Sequence, residues 1–182
     1  LDIINRKLLG TIFHEHLSYH SLKPMKKFLK QQGMELVDVK RVTIQGGSLV
    51  GTAQLTPGKH PISSSVQELI DMEEAQKLDC PETLKAFGRD LEKLRNELKD
   101  LLIQFKHQGK VVAGFGAARS GTTLIAQTDL GKVIEFIVDD NPDKHHKFSP
   151  GDHIPIYPTE ELYLRKPDYL FIAAARVGGL HA

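Results

Sequence analysis

This chain lacks an excess of either charge: 24 Lys and Arg residues stand against 23 Asp and Glu, a formal charge of +1. That balance builds no field for a nucleic-acid backbone or an anionic membrane, so neither is expected as a partner. Cysteine is nearly absent as well. Cys80 alone excludes an internal disulfide framework and suits a reducing, cytoplasmic setting. No apolar run approaches the roughly 18 residues of a membrane span, and no signal-peptide pattern opens the chain. Leu rather than Met stands first, which reads as a cut point within something longer. Metal-ligand spacing is lacking too. His14-x-His16 and His145-His146 have no third and fourth ligands, H-E-x-x-H does not occur, and no metal is expected. The 182 residues suffice for one domain or two small ones with a real core.

What the chain does have is concentrated chemistry. Phe13-His14-Glu15-His16-Leu17-Ser18-Tyr19 packs two imidazoles, a carboxylate, a hydroxyl and a phenol into one short stretch. A core rarely needs such a set, because every buried polar group must find a partner. Proton transfer does need it, since imidazole and carboxylate titrate nearest to working pH. If the stretch is extended, His14 and His16 share one face and Glu15 takes the other.

Around it the pattern is α/β. Leu22, Met25, Phe28 and Leu29 make a helical stripe over residues 21–32, and Gly33 is placed to end it. Residues 35–44 alternate as a strand, Gly46-Gly47 interrupts, and residues 48–55 read as a second strand. A turn-rich loop, Pro57-Gly58-Lys59-His60-Pro61, precedes Ser63–Ser65, which can cap the next helix. From Pro81 to Lys106, Leu84, Phe87, Leu91, Leu94, Leu98, Leu101 and Phe105 recur at alternating steps of three and four. That seam predicts one long helix, either bridging two domains of its own protein or forming a coiled-coil homodimer.

The last segment reads as a βαβ unit. An apolar run, residues 110–115, enters Gly114-Phe115-Gly116-Ala117-Ala118-Arg119-Ser120-Gly121-Thr122-Thr123, and a helix follows to about Gln127. The next strand, residues 133–138, ends in Asp139-Asp140-Asn141-Pro142. The loop reads G-x-G-x-x-R with its third glycine displaced to Gly121, so it departs from the dinucleotide fingerprint. It also lacks the lysine that a P-loop places on phosphates, which excludes an NTPase. Glycines at a helix N-terminus remain suited to a diphosphate. Gly114, Gly116, Arg119, Ser120, Gly121 and Thr122 are the candidate ligand-binding residues, Arg119 through a bidentate charged contact. Asp139 or Asp140 is placed to accept from a ribose hydroxyl. Residues 169–175 read as a further, buried strand.

Three blocks carry a family resemblance. They are Phe13–Tyr19 running on through Ser21-Leu22-Lys23-Pro24 and Gln45-Gly46-Gly47-Ser48-Leu49; the glycine loop with Val138-Asp139-Asp140-Asn141-Pro142; and Pro150-Gly151-Asp152-His153-Ile154-Pro155-Ile156. In order and spacing they resemble the C-terminal half of the sugar C-methyltransferases, from Phe13 to roughly Phe171. Those enzymes use S-adenosylmethionine to methylate a ketosugar carried on a nucleoside diphosphate. The resemblance implies an α/β fold in three parts. Residues 1–56 would close a class I methyltransferase sheet, 57–108 would form the helical bridge, and 109–182 a Rossmann-like nucleotide-sugar domain. It also implies that the glycine loop serves the sugar nucleotide, that the S-adenosylmethionine site lies mostly upstream of Leu1, and that the fragment alone binds substrate without turnover.

Methylation beside a ketone requires removal of a weakly acidic α proton, and the enolate needs a donor or a positive neighbour. His16 is the expected base or enolate partner, Glu15 orients it, and His14 and Tyr19 stand second. Against the family pattern, Phe13 stands where tyrosine is frequent, Ser120 where the loop often has lysine, and Gln45 where histidine is common. The last fourteen or so residues, Tyr169–Ala182 with Arg176-Val177-Gly178-Gly179-Leu180-His181-Ala182 at their end, resemble instead the NAD(P)-dependent epimerase/reductases of the fucose synthase type. An NAD(P)-dependent nucleotide-sugar epimerase or reductase is therefore the alternative reading. A non-enzymatic nucleotide-sugar-binding or dimerisation module is the third.

Overall fold

The computed structural model describes residues 1–173, which form an α/β fold in two compact units. Unit 1 comprises Leu1–Leu8 and His16–Asp90, and unit 2 comprises Leu9–Glu15 and the chain from Leu91 onward. In order the elements are α1 (Asp2–Asn5), α2 (Leu22–Gln31), β1 (Met34–Val42), β2 (Ser48–Leu55), α3 (Ser64–Ala75) and α4 (Pro81–His107). Then come β3 (Val112–Phe115), α5 (Arg119–Thr128), β4 (Ile134–Val138), β5 (Ile156–Tyr157), α6 (Glu161–Arg165) and β6 (Tyr169–Ile172). Of the fourteen-residue ending, Tyr169–Ala173 lie within the described residues, and residues 174–182, with the stretch Arg176–Ala182, lie outside them.

In unit 1 the alternating pattern makes β1 and β2 an antiparallel pair, from Met34 opposite Leu55 to Val42 opposite Ser48, with one register shift between Leu36 and Asp38. A 3-10 turn, Ile44–Gly46, joins them, and Gly46 and Gly47 carry the positive φ values that the reversal needs. Leu36 and Val39 of β1 pack on Leu22 of α2 and on Val66, Leu69 and Ile70 of α3. Two polar contacts fix how these layers meet. The Ser65 hydroxyl donates to Asp38 at 2.7 Å and accepts from the Val39 N–H at 3.2 Å, stitching α3 to β1. Ser21, at the N-cap of α2, makes no side-chain cap bond. The buried carboxylate of Glu73 on α3 takes that place, accepting from the Leu22 N–H at 2.9 and 2.8 Å and the Lys23 N–H at 3.3 Å.

The helix α4 runs without a break through the heptad stretch. Its residues to Asp90 cluster with unit 1 and those from Leu91 with unit 2. Within unit 2 its buried residue is Leu102, which stands off the seam, with Leu98 and Phe105 partly buried beside it. That is the i, i+4, i+7 stripe of a helix lying on a core. Leu84, Leu94 and Leu101 of the seam are exposed.

Unit 2 is built on a parallel sheet in the order β5-β4-β3-β6. Numbered by their own succession the strands read 3-2-1-4, the doubly wound order, which reverses direction between the first and fourth. Leu102 of α4 and Ile125 of α5 pack with Val112 and Ile137 in one cluster. Ala113, Phe136 and Val138 form another, with Leu162 of α6 against it. Central strands covered on both faces are mostly apolar, and β4 is buried along its length except at the exposed Glu135.

One expectation is corrected. The equally apolar β6 is not buried: Tyr169, Leu170 and Ile172 are 40%, 43% and 50% exposed. Among the described residues β6 pairs with β3 alone and so forms an edge. Phe105 covers part of it, its ring stacked on Tyr169 at 3.8 Å.

Candidate functional site

In doubly wound sheets, ligands bind beyond the carboxyl ends of the strands, near the point where strand order reverses. Here that point lies between β3 and β6, and the glycine loop leaves β3 there. Each glycine has a local reason. An added Cβ on Gly114 would meet Ile137 Cγ1 at 3.0 Å, across the β3–β4 pair. Gly116 has φ +92°, which a side chain would strain, and its N–H donates to the Val138 carbonyl at 2.8 Å. Gly121, buried in the first turn of α5, lets the helix close on its surroundings. A Cβ there would lie 2.9 Å from Ala173 Cβ and 3.2 Å from the Gly116 carbonyl oxygen. Ala118 occupies the N-cap and supplies no side-chain cap. The first N–H groups of α5 are therefore left to water or to an anion.

Asp139, at the end of β4, holds this loop from below. Its Oδ2 accepts from the Ala117 N–H at 2.7 Å and from Lys144 Nζ at 3.0 Å, while Oδ1 accepts from the Asn141 N–H at 2.9 Å. Those bonds take three of the carboxylate's roughly four lone-pair sites. Its neighbour Asp140 is exposed. Burial opposes the charge on Asp139 most strongly of any single influence. The Asn141 N–H, the Lys144 ammonium and the Ala117 N–H together outweigh it and hold the carboxyl below its usual range.

A lowered folded value means that the stabilisation is complete above the unfolded value, about 3.9, and is lost as pH falls through the folded one. Asp139→Asn is therefore expected to lower the melting temperature at neutral pH. The gap to wild type should begin to narrow below about pH 4, where the unfolded carboxyl protonates, and close as pH falls through the lowered folded value. Melts recorded across that range check it; a gap independent of pH would mean that the charge on Asp139 is not what holds the loop.

The His-Glu-His stretch is not an extended strand: residues 13–15 form a bend and turn. Residues 9–15 belong to unit 2, where the Ile12 carbonyl accepts from Gln127 Nε2 at 3.3 Å. Glu15 pairs with Arg119 Nη1 at 2.6 Å, at the opposite end of α5, so the segment runs alongside that helix. Two residues singled out from separate motifs, Glu15 and Arg119, are thus brought into contact. His14 is exposed, its ring edge-to-face with Phe13 at 6.0 Å. In unit 1, His16 is half-buried and meets the Tyr19 ring edge-to-face at 6.1 Å. Ser120 and Thr122, on the first turn of α5, are half-buried, and the Thr122 hydroxyl donates to the Ala118 carbonyl at 3.3 Å.

Sequence reasoning passed over a cavity of about 210 Å³ beside the loop, lined by Ala117, Thr122, Lys144, Lys147, Phe148 and Ile156 among others. Ala117 and Thr122 belong to the glycine loop and Ile156, in β5, to the last of the three sequence blocks. Lys144, Lys147 and Phe148 come from the β4–β5 connection, whose path back to the loop the sequence does not disclose. Among the described residues no His, Cys, Asp and Glu side chains gather in threes as a metal ion would require. No described helix is long and apolar enough to cross a membrane.

Comparison with known proteins bears on the same residues. The family model described as the C-methyltransferase C-terminal domain matches residues 43–177. The C-methyltransferase NovU of Streptomyces niveus is 32% identical over 175 residues, covering 96% of this chain. The chain spans 42% of the length of that relative.

Proposed function

The chain belongs to the C-methyltransferase family, and from that premise we propose that it is the substrate-holding part of a sugar C-methyltransferase. The reaction is transfer of a methyl group from S-adenosylmethionine to the carbon beside the ketone of a nucleoside-diphosphate ketosugar. The observation that carries the substrate half is the glycine loop of unit 2. It leaves the first strand of a 3-2-1-4 sheet, ends in an uncapped ten-residue helix, and puts Arg119 at that helix's first position. Backbone N–H groups, the helix dipole and a guanidinium together suit a diphosphate.

The methyl donor supplies an electrophilic sulfonium carbon. Unit 1 offers it no glycine cradle. Its strand-to-helix connection, residues 56–63, has the single glycine Gly58, and the Gln54 side chain fills the space beside it. The chemistry assigned to this chain therefore stops at the enolate. His16 takes the α proton, the electron pair moves onto the ketone oxygen, and the carbon becomes nucleophilic. Glu15 has a double use. Its carboxylate neutralises Arg119 until a diphosphate competes for the guanidinium, and it then stands next in the chain to the imidazole that must become cationic. His14 and Tyr19 are second candidates for proton handling.

Calorimetric titration with TDP-, UDP- and GDP-sugars, NADPH and S-adenosylmethionine tests the reading. Sugar nucleotides should bind, and Arg119→Ala should weaken them by about 10- to 100-fold. Glu15→Gln, which removes the competing charge but leaves the guanidinium, should bind them at least as well as wild type. Tight NADPH binding would favour the epimerase or reductase. Silence towards every sugar nucleotide would make the loop structural and overturn the assignment.

A further inference from the structure

The cavity beside the glycine loop gives the nucleotide a direction. We infer that the nucleobase lies in this cavity against Phe148, with Lys147 and Lys144 on the diphosphate, so that the hexose points the other way, towards β6. The inference rests on the proposed sugar-nucleotide reading and adds to it where each half of that ligand goes.

Three observations, all within unit 2, support it. First, the cavity is bounded on one side by Ala117 and Thr122, the loop and first turn of α5. On the other side it is bounded by Lys144, Lys147, Phe148, Ser149 and Pro150 from the β4–β5 connection. In a doubly wound sheet the diphosphate sits over the first strand's loop, and the second strand's end faces the ribose. The connection that follows the second strand is therefore on the nucleoside side. At about 210 Å³ the space is smaller than the roughly 300–1,000 Å³ that encloses a whole drug-sized ligand. It suits one ring system and not an entire sugar nucleotide.

Second, the wall is built, although its side chains face water. The Ile156 N–H donates to the Lys147 carbonyl at 2.8 Å, the His146 N–H to the Ile156 carbonyl at 2.8 Å, and the Ser149 N–H to the Ile154 carbonyl at 2.8 Å. The buried Ser149 hydroxyl accepts from the Ile154 N–H at 3.0 Å. Phe148 is bridged to Pro155 in the same hairpin. Its backbone is thus fastened on both sides, yet the ring is 62% exposed. A large apolar ring held in place over a cavity is a stacking platform for a base.

Third, the charge is of the right sign and is partly free. Lys144 already bonds to Asp139, the residue that fastens the loop. Lys147 makes no ion pair among the described residues. A phosphate gives its ammonium a partner without displacing an existing one.

The test uses TDP, UDP and inorganic pyrophosphate as calorimetric probes, against Phe148→Ala, Phe148→Tyr, Lys147→Ala and Arg119→Ala. Phe148→Ala should weaken both nucleotides about tenfold and leave pyrophosphate unchanged, while Phe148→Tyr, which keeps the ring, restores them. Lys147→Ala should weaken all three probes about tenfold. All these side chains are exposed, and equal melting temperatures would verify that the variants fold. If Arg119→Ala loses the nucleotides while Phe148→Ala and Lys147→Ala bind them normally, the loop holds the diphosphate but the base lies elsewhere. The inference then fails and the substrate-domain reading stands. If wild type binds none of the three, both fall.

Discussion

Glu73→Ala is expected to destabilise the protein by about 3 kcal/mol, the largest stability loss at any single polar residue of unit 1. Glu73 is 3% exposed, and both its oxygens accept from the first N–H groups of α2. The helix has no other cap there, because the Ser21 side chain does not reach back. Truncation removes a charge-assisted acceptor and leaves the Leu22 and Lys23 N–H groups facing a small apolar void. Charge-assisted bonds contribute about 1.5–3 kcal/mol, and an orphaned buried donor adds its own desolvation cost. For a chain of this length that corresponds to a fall of about 6–12 °C in melting temperature. Glu73→Gln keeps one acceptor oxygen and should lose roughly half as much. Lys23 is the control. Its ammonium pairs with Glu74 at 2.9 Å and Asp79 at 3.1 Å, but all three groups are about half exposed. Water screens such pairs, and Lys23→Ala should leave the melt nearly unchanged. If Glu73→Ala moved the melt no more than Lys23→Ala does, the carboxylate would not be the cap of α2.

That contrast marks where sequence reasoning ends. The pattern of residues 21–55 announces a helix, a strand, a glycine turn and a strand, and β2 occupies the span expected of it. Periodicity is a local property, so it survives in the sequence. The cap of α2 does not, because its acceptor lies about fifty residues further along the chain, on another helix. The heptad seam likewise announces a long helix, yet Leu102 off the seam is the residue that α4 buries in unit 2. A seam records which residues are apolar and not which face a neighbouring core presents. The exposure of β6 is hidden from the sequence for the same reason: edge and centre strands share composition and differ only in what lies beside them, and among the described residues β6 has β3 alone.

At the candidate site the split is similar. The glycine loop, Arg119 and the acid after β4 are legible, because a strand-to-helix turn and a strand end are signalled locally. The use of Asp139 is not. Its position suits a ribose hydroxyl, but the folded chain turns its carboxylate onto the Ala117 N–H and Lys144. Nor does any local pattern foretell that Glu15 and Arg119, 104 residues apart, form an ion pair. That pair joins the stretch proposed for proton transfer to the loop proposed for the substrate. Phosphate arriving at Arg119 would thus be felt at Glu15 before any chemistry begins.

The strongest effect on chemistry is expected at His16. Removing the α proton from a ketosugar requires a base in contact with that carbon, and deleting a positioned base costs about 10²- to 10⁴-fold. Enolate formation can be read without methyl transfer. In D2O, reversible deprotonation exchanges the α hydrogen of the nucleoside-diphosphate ketosugar for deuterium, and NMR follows the loss of its signal. His16→Asn should slow that exchange by the full factor and leave sugar-nucleotide affinity within about threefold, since a base contributes to the transition state far more than to ground-state binding. His14→Asn is the comparison. Its ring is exposed and meets Phe13, so a second imidazole in a supporting role should cost far less. Tyr19→Phe removes only the hydroxyl and keeps the ring that lies edge-to-face with His16. Slow exchange in Tyr19→Phe together with normal exchange in His16→Asn would transfer the role of base to the phenol. Equal loss of affinity and exchange in His16→Asn would make His16 a structural residue. Loss of exchange alone is the signature of a base.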